Sequence, residues 1–139
     1  MRLVLDTNVL ISALWKPGSV PDLALTAIWA RGARVLYDAR IMSEYRAVLA
    51  RPKFKKIDPT RTDALLATIV LRGDELMQVA AWPGAIPDDD DRIFVEVALA
   101  GRADAIITGN LKDYPRDLGL VVHPPATLLA MLEPQVPEG

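Results

Sequence analysis

The sequence predicts an α/β fold with a parallel sheet, on three observations. Short apolar runs alternate with longer segments of helical periodicity along nearly the whole chain. The first run, residues 3–5, passes almost at once into an apolar stretch with helical spacing, which is typical of a strand that feeds a crossover helix. The length of 139 residues suits one domain. We expect a three-layer α/β/α sandwich around a sheet of four or five parallel strands.

The expected elements follow this alternation. We expect strands at residues 3–5, 34–37, 77–80, 105–108 and 120–122. Helices are expected after the first, second, third and fifth strands, and Ser19 with Asp22 is typical of a capping box at the start of the second helix. The domain is predicted to span residues 1–133, and a short Pro-rich tail, residues 134–139, is expected to fray.

The composition excludes several classes of site. The chain has no cysteine and one histidine, so a thiolate site, a zinc site or a disulfide is not expected, and we interpret His123 as structural. Any metal must therefore be held by oxygen, which favours Mg²⁺ or Mn²⁺. No apolar run is long enough to cross a membrane, and no secretory leader is visible, so we expect a cytoplasmic protein without a membrane partner. The net charge of −2 predicts no general attraction to nucleic acid.

Asp6 stands where the first strand ends. Ligands bind parallel α/β sheets outside the carboxyl ends of the strands, so Asp6 is a candidate site residue. Asp6, Thr7 and Asn8 are also good helix caps, and residues 6–8 alone do not decide between cap and site.

Further polar residues are expected at the same edge. Four consecutive aspartates, residues 88–91, precede the helix that leads to the fourth strand; a solvated acidic turn is the alternative to a metal site. Asn110 and Asp113 follow the fourth strand, and Glu44 borders the apolar stripe of its helix, which favours a carboxylate with a partner. If strands one and four are neighbours, these groups meet where the strand order reverses. Such a cluster supports metal-assisted phosphoryl transfer.

Residues 51–56 form the most basic run of the chain. Arg51, Lys53, Lys55 and Lys56 are candidates for contacts with phosphate groups, and a solvated connection is the alternative.

Successive motifs resemble those of PIN domains, most of all the bacterial VapC toxin type. The motifs cover nearly the whole chain in order: residues 5–12 (LDTNVLIS), residues 42–45 (MSEY) with residues 51–54 (RPKF), residues 88–91 before Phe94 and Ala98, and residues 107–110 (ITGN). The resemblance implies a Mg²⁺-dependent ribonuclease that cuts single-stranded RNA, is often a homodimer, and is often neutralised by an antitoxin.

The resemblance also implies roles for individual residues. Asp6, Glu44 and Asp91 match the family's acids, since Ala98 lies seven residues after Asp91, and Asp88 matches an additional acid. The expected metal ligands are therefore Asp6, Glu44, Asp88 and Asp91.

The fourth acidic position departs from the commonest pattern, because Asn110 stands where aspartate is frequent. Asp113 is a candidate replacement and is counted with the catalytic acids; which of the two fills the position stays open. Thr7, Asn8, Thr108 and Asn110 are expected to position ligands or water.

Rival folds lack their key residues. A receiver domain would need an aspartate at the end of the third strand and a lysine after the fifth. A dehalogenase-type phosphatase would need an aspartate where Asn8 stands, and a dinucleotide-binding domain would need glycines after the first strand. The remaining alternative is a catalytically degenerate PIN fold that binds RNA or protein, which Asn110 alone favours.

Overall fold

A parallel sheet of five strands forms the centre of the molecule. The computed structural model describes residues 1–133, and the strand order is β3-β2-β1-β4-β5 with every neighbouring pair parallel. The strands are β1 Arg2–Leu5, β2 Arg34–Tyr37, β3 Asp74–Glu75, β4 Ala105–Ile107 and β5 Val122–His123. The predicted α/β class and parallel sheet are confirmed. The tail at residues 134–139 lies outside the described residues.

Six α-helices connect and cover the strands. They are α1 Thr7–Trp15, α2 Val20–Arg31, α3 Ala39–Leu49, α4 Pro59–Arg72, α5 Arg92–Ala100 and α6 Pro125–Leu132. Helix α2 packs against α1 and α6, whereas α5 packs against β1, β2 and β4. Right-handed crossovers that run in opposite directions across a sheet lie on opposite faces, which gives the three layers. None of the helices in residues 1–133 is long and apolar enough to span a membrane.

The strand order reverses between β1 and β4. The chain moves from β1 to β2 and β3 on one side, and then continues through β4 and β5 on the other. Leu5 pairs with Ile107, so both strands end at the same level, and the condition that strands one and four be neighbours is met. Side chains that follow Leu5 and Ile107 therefore share one crevice at the carboxyl edge.

The third strand was predicted wrongly. Residues 77–80 have no regular structure, and the edge strand is the two-residue segment Asp74–Glu75. Gly73 makes the early turn into this strand possible, because a Cβ there would lie 2.4 Å from the carbonyl oxygen of Ile69 and 2.6 Å from that of Val35. An ion pair of 2.7 Å from Arg34 to Asp74 then fixes the strand beside β2. Register, rather than β propensity, selects these residues.

The predicted capping box is not formed. Ser19 is the N-cap of α2, but its hydroxyl is buried without a hydrogen-bond partner in the described structure. The Asp22 carboxylate instead accepts a hydrogen bond of 2.8 Å from the backbone N–H of Gly18, one residue before the cap. The proline at residue 21 lies in the first turn of α2 and still marks the start of the helix.

Candidate active site

Asp6 is a helix cap and also the centre of a hydrogen-bond network. Its Oδ1 accepts a bond of 3.3 Å from the backbone N–H of Asn8, which caps α1. Its Oδ2 accepts from the hydroxyls of Thr108 (3.0 Å) and Tyr114 (2.9 Å). A cap needs only the first bond, so the other two fix the carboxylate for a further purpose. Burial raises the pKa of Asp6 despite the three hydrogen bonds, and nearby Asp113 raises it further.

The residues predicted to position ligands form a connected network around Thr108, with one exception. Asn8 donates to the Thr108 hydroxyl (3.2 Å), and its own Oδ1 accepts from the backbone N–H of Gly109 (2.9 Å). The backbone N–H of Asn110 also donates to the Thr108 hydroxyl (3.1 Å). The loop after β4 is thereby tied to the start of α1. Thr7 is the exception, since its buried hydroxyl has no hydrogen-bond partner among the described residues.

Asp91 is the acid of the aspartate run that faces the other carboxylates. It ends a short 3-10 helix, Asp89–Asp91, and directly precedes α5. Burial raises its pKa to about 7, and Asp6, Asp113, Asp88 and Asp90 add to the effect in that order. A carboxylate whose pKa is raised by neighbouring acids lies close to uncompensated negative charge.

The other three aspartates of the run have different surroundings. Asp88 caps the 3-10 helix by accepting a hydrogen bond of 3.0 Å from the backbone N–H of Asp90. Asp89 forms an ion pair of 2.7 Å with Arg92. Asp88, Asp89 and Asp90 are exposed to solvent, whereas Asp91 is half-buried. The interpretation as a solvated acidic turn therefore suits residues 88–90 better than it suits Asp91.

Asp113, rather than Asn110, brings negative charge to the site. The Asn110 side-chain amide donates a hydrogen bond of 2.9 Å to Oδ2 of Asp113. Asp113 raises the pKa of both Asp6 and Asp91 through its charge. Asn110 thus orients the acid that stands near the fourth position.

Glu44 lacks the partner that its helical position led us to expect. It lies in the second turn of α3 and is half-buried, beside a shallow cavity that Arg40 and Ser43 also line. No hydrogen bond or ion pair joins it to another side chain within residues 1–133. Asp6, Asp88, Asp90 and Asp113 are the acids that raise the pKa of Asp91, and Glu44 is not one of them.

The donor chemistry fits a hard divalent cation, although the ligands are not arranged tightly around one point. Within residues 1–133, no three histidine, aspartate or glutamate side chains already form a metal-binding group. Asp6, Asp91 and Asp113 nevertheless supply oxygen donors and a surplus of negative charge that a cation would neutralise. Oδ1 of Asp6 accepts one long hydrogen bond, which leaves capacity for a ligand.

Two tyrosines near Asp6 were missed in the sequence. Tyr114 is buried, and its hydroxyl donates directly to Asp6; burial and the charge of Asp6 raise its pKa, so it stays protonated. Tyr45 of α3 stacks on Phe94 and donates to the carbonyl of Leu5, one residue before Asp6. A buried tyrosine usually finds a partner for its hydroxyl, but the sequence does not say which.

Glu96 was also missed, although it interrupts the apolar run of α5. Its carboxylate is buried and accepts hydrogen bonds of 2.7 Å from Arg40 and from the backbone N–H of Trp82. Arg40 also binds Asp38, the N-cap of α3. This network ties the start of α3 to the segment that leads to the aspartate run. A buried charge in an apolar stretch signals a partner and could have been noticed.

The basic run lies away from the carboxylates. Residues 51–56 follow α3 and contain a short 3-10 helix, Pro52–Phe54, whose Phe54 contacts Trp15 at the end of α1. Helix α1 begins beside Asp6 and has nine residues, so the run lies about 13 Å from Asp6 along the helix axis. The predicted contact of this run with RNA stays a prediction.

Comparisons with known proteins bear on the fold and on the family. No curated protein matches the chain. Its fold is similar to that of a chain in the crystal structure of VapBC2 from Rickettsia felis bound to a DNA fragment from their promoter, with a TM-score of 0.61 and 16% sequence identity. That similarity covers 89% of this chain and 98% of the other. The model of the PIN domain family matches residues 2–112. The chain therefore belongs to the PIN domain family.

Proposed function

We propose that the protein is a metal-dependent endoribonuclease that cleaves single-stranded RNA. Proteins with this domain are generally nucleases, and the family match over residues 2–112 includes Asp6 and Asp91 and ends one residue before Asp113. The observation that carries the proposal is the crowding of Asp6, Asp91 and Asp113, in which Asp113 raises the pKa of both Asp6 and Asp91, and Asp6 raises the pKa of Asp91. Crowded carboxylates at a strand-order reversal are costly unless a cation or a reaction uses them.

Some residues of the site would bind a metal ion, and others orient these ligands. Asp6 and Asp91 would bind Mg²⁺ or Mn²⁺, and Asp88 and Glu44 are the further candidates. The ion, when bound, supplies positive charge beside a phosphodiester and lowers the pKa of water. Thr108 and Tyr114 keep the Asp6 carboxylate oriented from one side, as their hydrogen bonds to Oδ2 require. The only histidine is His123, in β5, so proton transfer would fall to carboxylates.

Asp113 is the candidate general base. Its Oδ2 accepts a hydrogen bond from Asn110, while its charge acts on both Asp6 and Asp91. An oriented carboxylate beside two others can accept a proton from an attacking water.

We also propose that the ribonuclease is the toxin of a toxin–antitoxin pair. The fold similarity to a chain of VapBC2 supports this assignment. An antitoxin would then be the protein partner, and a homodimer is the proposed assembly. A small neighbouring gene for a DNA-binding protein with a disordered tail would support this second step independently of any cleavage assay.

A degenerate PIN fold that binds RNA or protein is the second candidate. It is favoured by Asn110 at the fourth acidic position and by the absence of a ready-made metal-binding group in residues 1–133. The buried and oriented Asp6 opposes it, because a scaffold has no use for a crowded acid.

Cleavage of unstructured RNA with Mg²⁺ or Mn²⁺, with and without EDTA, tests the proposal. We expect cleavage that EDTA abolishes and that Asp113→Asn reduces by about 10²–10⁴-fold, the range for loss of a general base. Asp104→Asn is a matched control, because this aspartate accepts from Arg2 at the opposite edge of the sheet. Cleavage that survives EDTA would contradict metal dependence, and RNA binding without cleavage would favour the degenerate alternative.

A further inference from the structure

An exposed aromatic side chain lies beside the most basic surface of the chain. Trp15, the last residue of α1, is 53% exposed although large apolar residues are usually covered. Its ring meets the half-buried ring of Phe54 edge to face, with 6.2 Å between the centroids. The Lys53 ammonium lies 5.0 Å from the Phe54 centroid. The two rings and the ammonium group therefore form one mixed aromatic and cationic surface.

The cations around this surface are not neutralised by nearby acids. Residues 45–57 contain five basic residues and no acid, namely Arg46, Arg51, Lys53, Lys55 and Lys56. None of the five forms an ion pair within residues 1–133. Asp63 of α4 is the one acid that lines the adjoining groove. In a chain of net charge −2, so concentrated a positive surface attracts a polyanion locally.

A groove of about 470 Å³ continues from the aromatic pair between the end of α3 and the start of α4. Its floor is apolar and includes Leu49, Phe54, Ile57 and Leu66. Arg46, Arg51 and Lys55 stand on its walls. The groove thus offers flat apolar contact at its base and positive charge at its edges.

Helix α1 connects this surface to the acids. It begins directly after Asp6 and ends at Trp15, about 13 Å away for nine residues. Arg61 of α4 donates a hydrogen bond of 3.1 Å to the carbonyl of Leu14, which fixes the helix end against the groove. The acids and Trp15 therefore lie at the two ends of one short helix, a separation that a single strand of a few nucleotides can span.

We propose that Trp15, Phe54 and the cations of residues 46–56 form a base-stacking platform for single-stranded RNA. This inference rests on the proposed ribonuclease function and adds where and how the RNA is held. Proteins that bind single strands combine a positive groove with aromatic rings on which bases stack. A duplex keeps its bases stacked inside, so the platform selects single strands.

The charge pattern favours RNA over an acidic peptide as the occupant. All five cations are exposed and three of them line the groove, which suits the repeated negative charge of a phosphate backbone. The indole of Trp15 is exposed beside the groove, where a base can stack on it, instead of forming a closed pocket for one side chain. A protein partner is therefore the alternative outcome of the test.

Binding to a labelled, unstructured RNA of about 12 nucleotides, measured in EDTA, tests the platform without cleavage. We expect Trp15→Ala to weaken binding by about 5- to 150-fold, and Trp15→Phe to retain most of the affinity. RNA should quench the tryptophan fluorescence of the wild type, and Trp15→Phe should lose this quenching although Trp29 and Trp82 remain. A duplex of the same length should bind the wild type and Trp15→Ala equally.

Two control variants separate stacking from general effects. Leu71→Ala removes an apolar side chain that is 81% exposed on α4 and should leave binding unchanged. Changing Lys53, Lys55 and Lys56 together to alanine should lower the slope of log K against log salt by about two. Arg102→Gln removes one exposed charge elsewhere and should not change that slope.

The outcomes distinguish the platform from the ribonuclease function. If Trp15→Ala binds RNA as tightly as the wild type, or the wild type does not bind it in EDTA, the platform is overturned and the surface is left to a protein partner. Cleavage by Trp15→Ala in Mg²⁺, measured separately at saturating RNA, reports on the acids. Loss of affinity with retained cleavage at saturation is the result that we expect.

Discussion

The hydrogen bond from Tyr114 to Asp6 gives a prediction that can be worked out from the structure. Tyr114→Phe keeps the buried ring and removes the hydroxyl that donates a hydrogen bond of 2.9 Å to Oδ2 of Asp6. Thr108 and the backbone N–H of Asn8 still donate to the carboxylate. The substitution therefore removes one of three bonds to a charged group without opening a large cavity.

The cost should depend on pH, and its sign follows from the pKa of Asp6. Burial raises the folded pKa of Asp6 above 3.8, so the metal-free folded state binds more protons than the unfolded state and its stability falls as the pH rises through that window. The Tyr114 hydrogen bond lowers this pKa. Without it the folded pKa rises further, so the stability of the variant falls more steeply. We expect a smaller loss near pH 4, about 1 kcal/mol, because the raised pKa leaves Asp6 less ionised there than near pH 8, where the loss should be about 1.5–3 kcal/mol.

Chemical unfolding in EDTA at both pH values measures the effect, with Tyr45→Phe as the matched control. Tyr45 is also buried, but its hydroxyl donates to the uncharged carbonyl of Leu5. Its loss should cost about 0.5–1.5 kcal/mol at either pH. If Tyr114→Phe costs the same at both pH values, the charge-assisted bond to Asp6 is refuted.

Three further substitutions test the charge of Asp91, the hydrogen bonds of Glu96 and the close backbone approach at Gly73. Asp91→Asn should stabilise the metal-free protein, and more at pH 8 than at pH 4, because a pKa of about 7 makes the charged form unfavourable in the folded state; urea unfolding in EDTA measures this. Glu96→Ala should cost about 1–2 kcal/mol in the same assay, less than for a fully buried pair because Arg40 is 46% exposed. Gly73→Ala should cost about 1–3 kcal/mol from overpacking, whereas Gly109→Ala, with its nearest atom at 3.5 Å, should not.

For each of these three substitutions, one outcome would refute the prediction. Destabilisation of Asp91→Asn at pH 8 would mean that the carboxylate has a partner that compensates its charge. An unchanged free energy of unfolding in Glu96→Ala would show that the hydrogen bonds of Glu96 between α3 and the aspartate run do not stabilise the fold. Equal effects of alanine at residues 73 and 109 would show that the close backbone approach at Gly73 is not what shapes the edge strand.

The sequence predicted those features that depend on local pattern. The helix period, the strand runs and the position of Asp6 at a strand end are all encoded within a few residues, whereas the pairing of β1 with β4 entered only as a condition that the structure meets. The third strand could not be found this way. It consists of an aspartate and a glutamate whose pairing is imposed by Gly73 and by the ion pair to Arg34.

Three of the acids predicted from the sequence lie near one another in the structure, but the side chains that hold them in place were not predicted. Asp6, Asp91 and Asp113 lie near one another because the strand order brings three separate segments to one edge. Tyr114 and Glu96 act through contacts between segments distant in the sequence, 108 residues for the first and up to 56 for the second, which periodicity does not report. A helical stripe likewise places Glu44 on a face without saying whether a partner stands opposite.

The most direct test of a metal site at Asp6 is the effect of magnesium on the melting temperature. It is measured for the wild type and for two aspartate variants. Asp6→Asn keeps the helix cap and removes a proposed ligand. Asp58→Asn is the matched control, because Asp58 caps α4 by accepting from the backbone N–H of Thr60 and lies outside the site. At a hundredfold excess of Mg²⁺ over its Kd, the ion should stabilise the wild type and Asp58→Asn by about 2.7 kcal/mol, and Asp6→Asn much less. Equal shifts in all three proteins would contradict a metal site at Asp6.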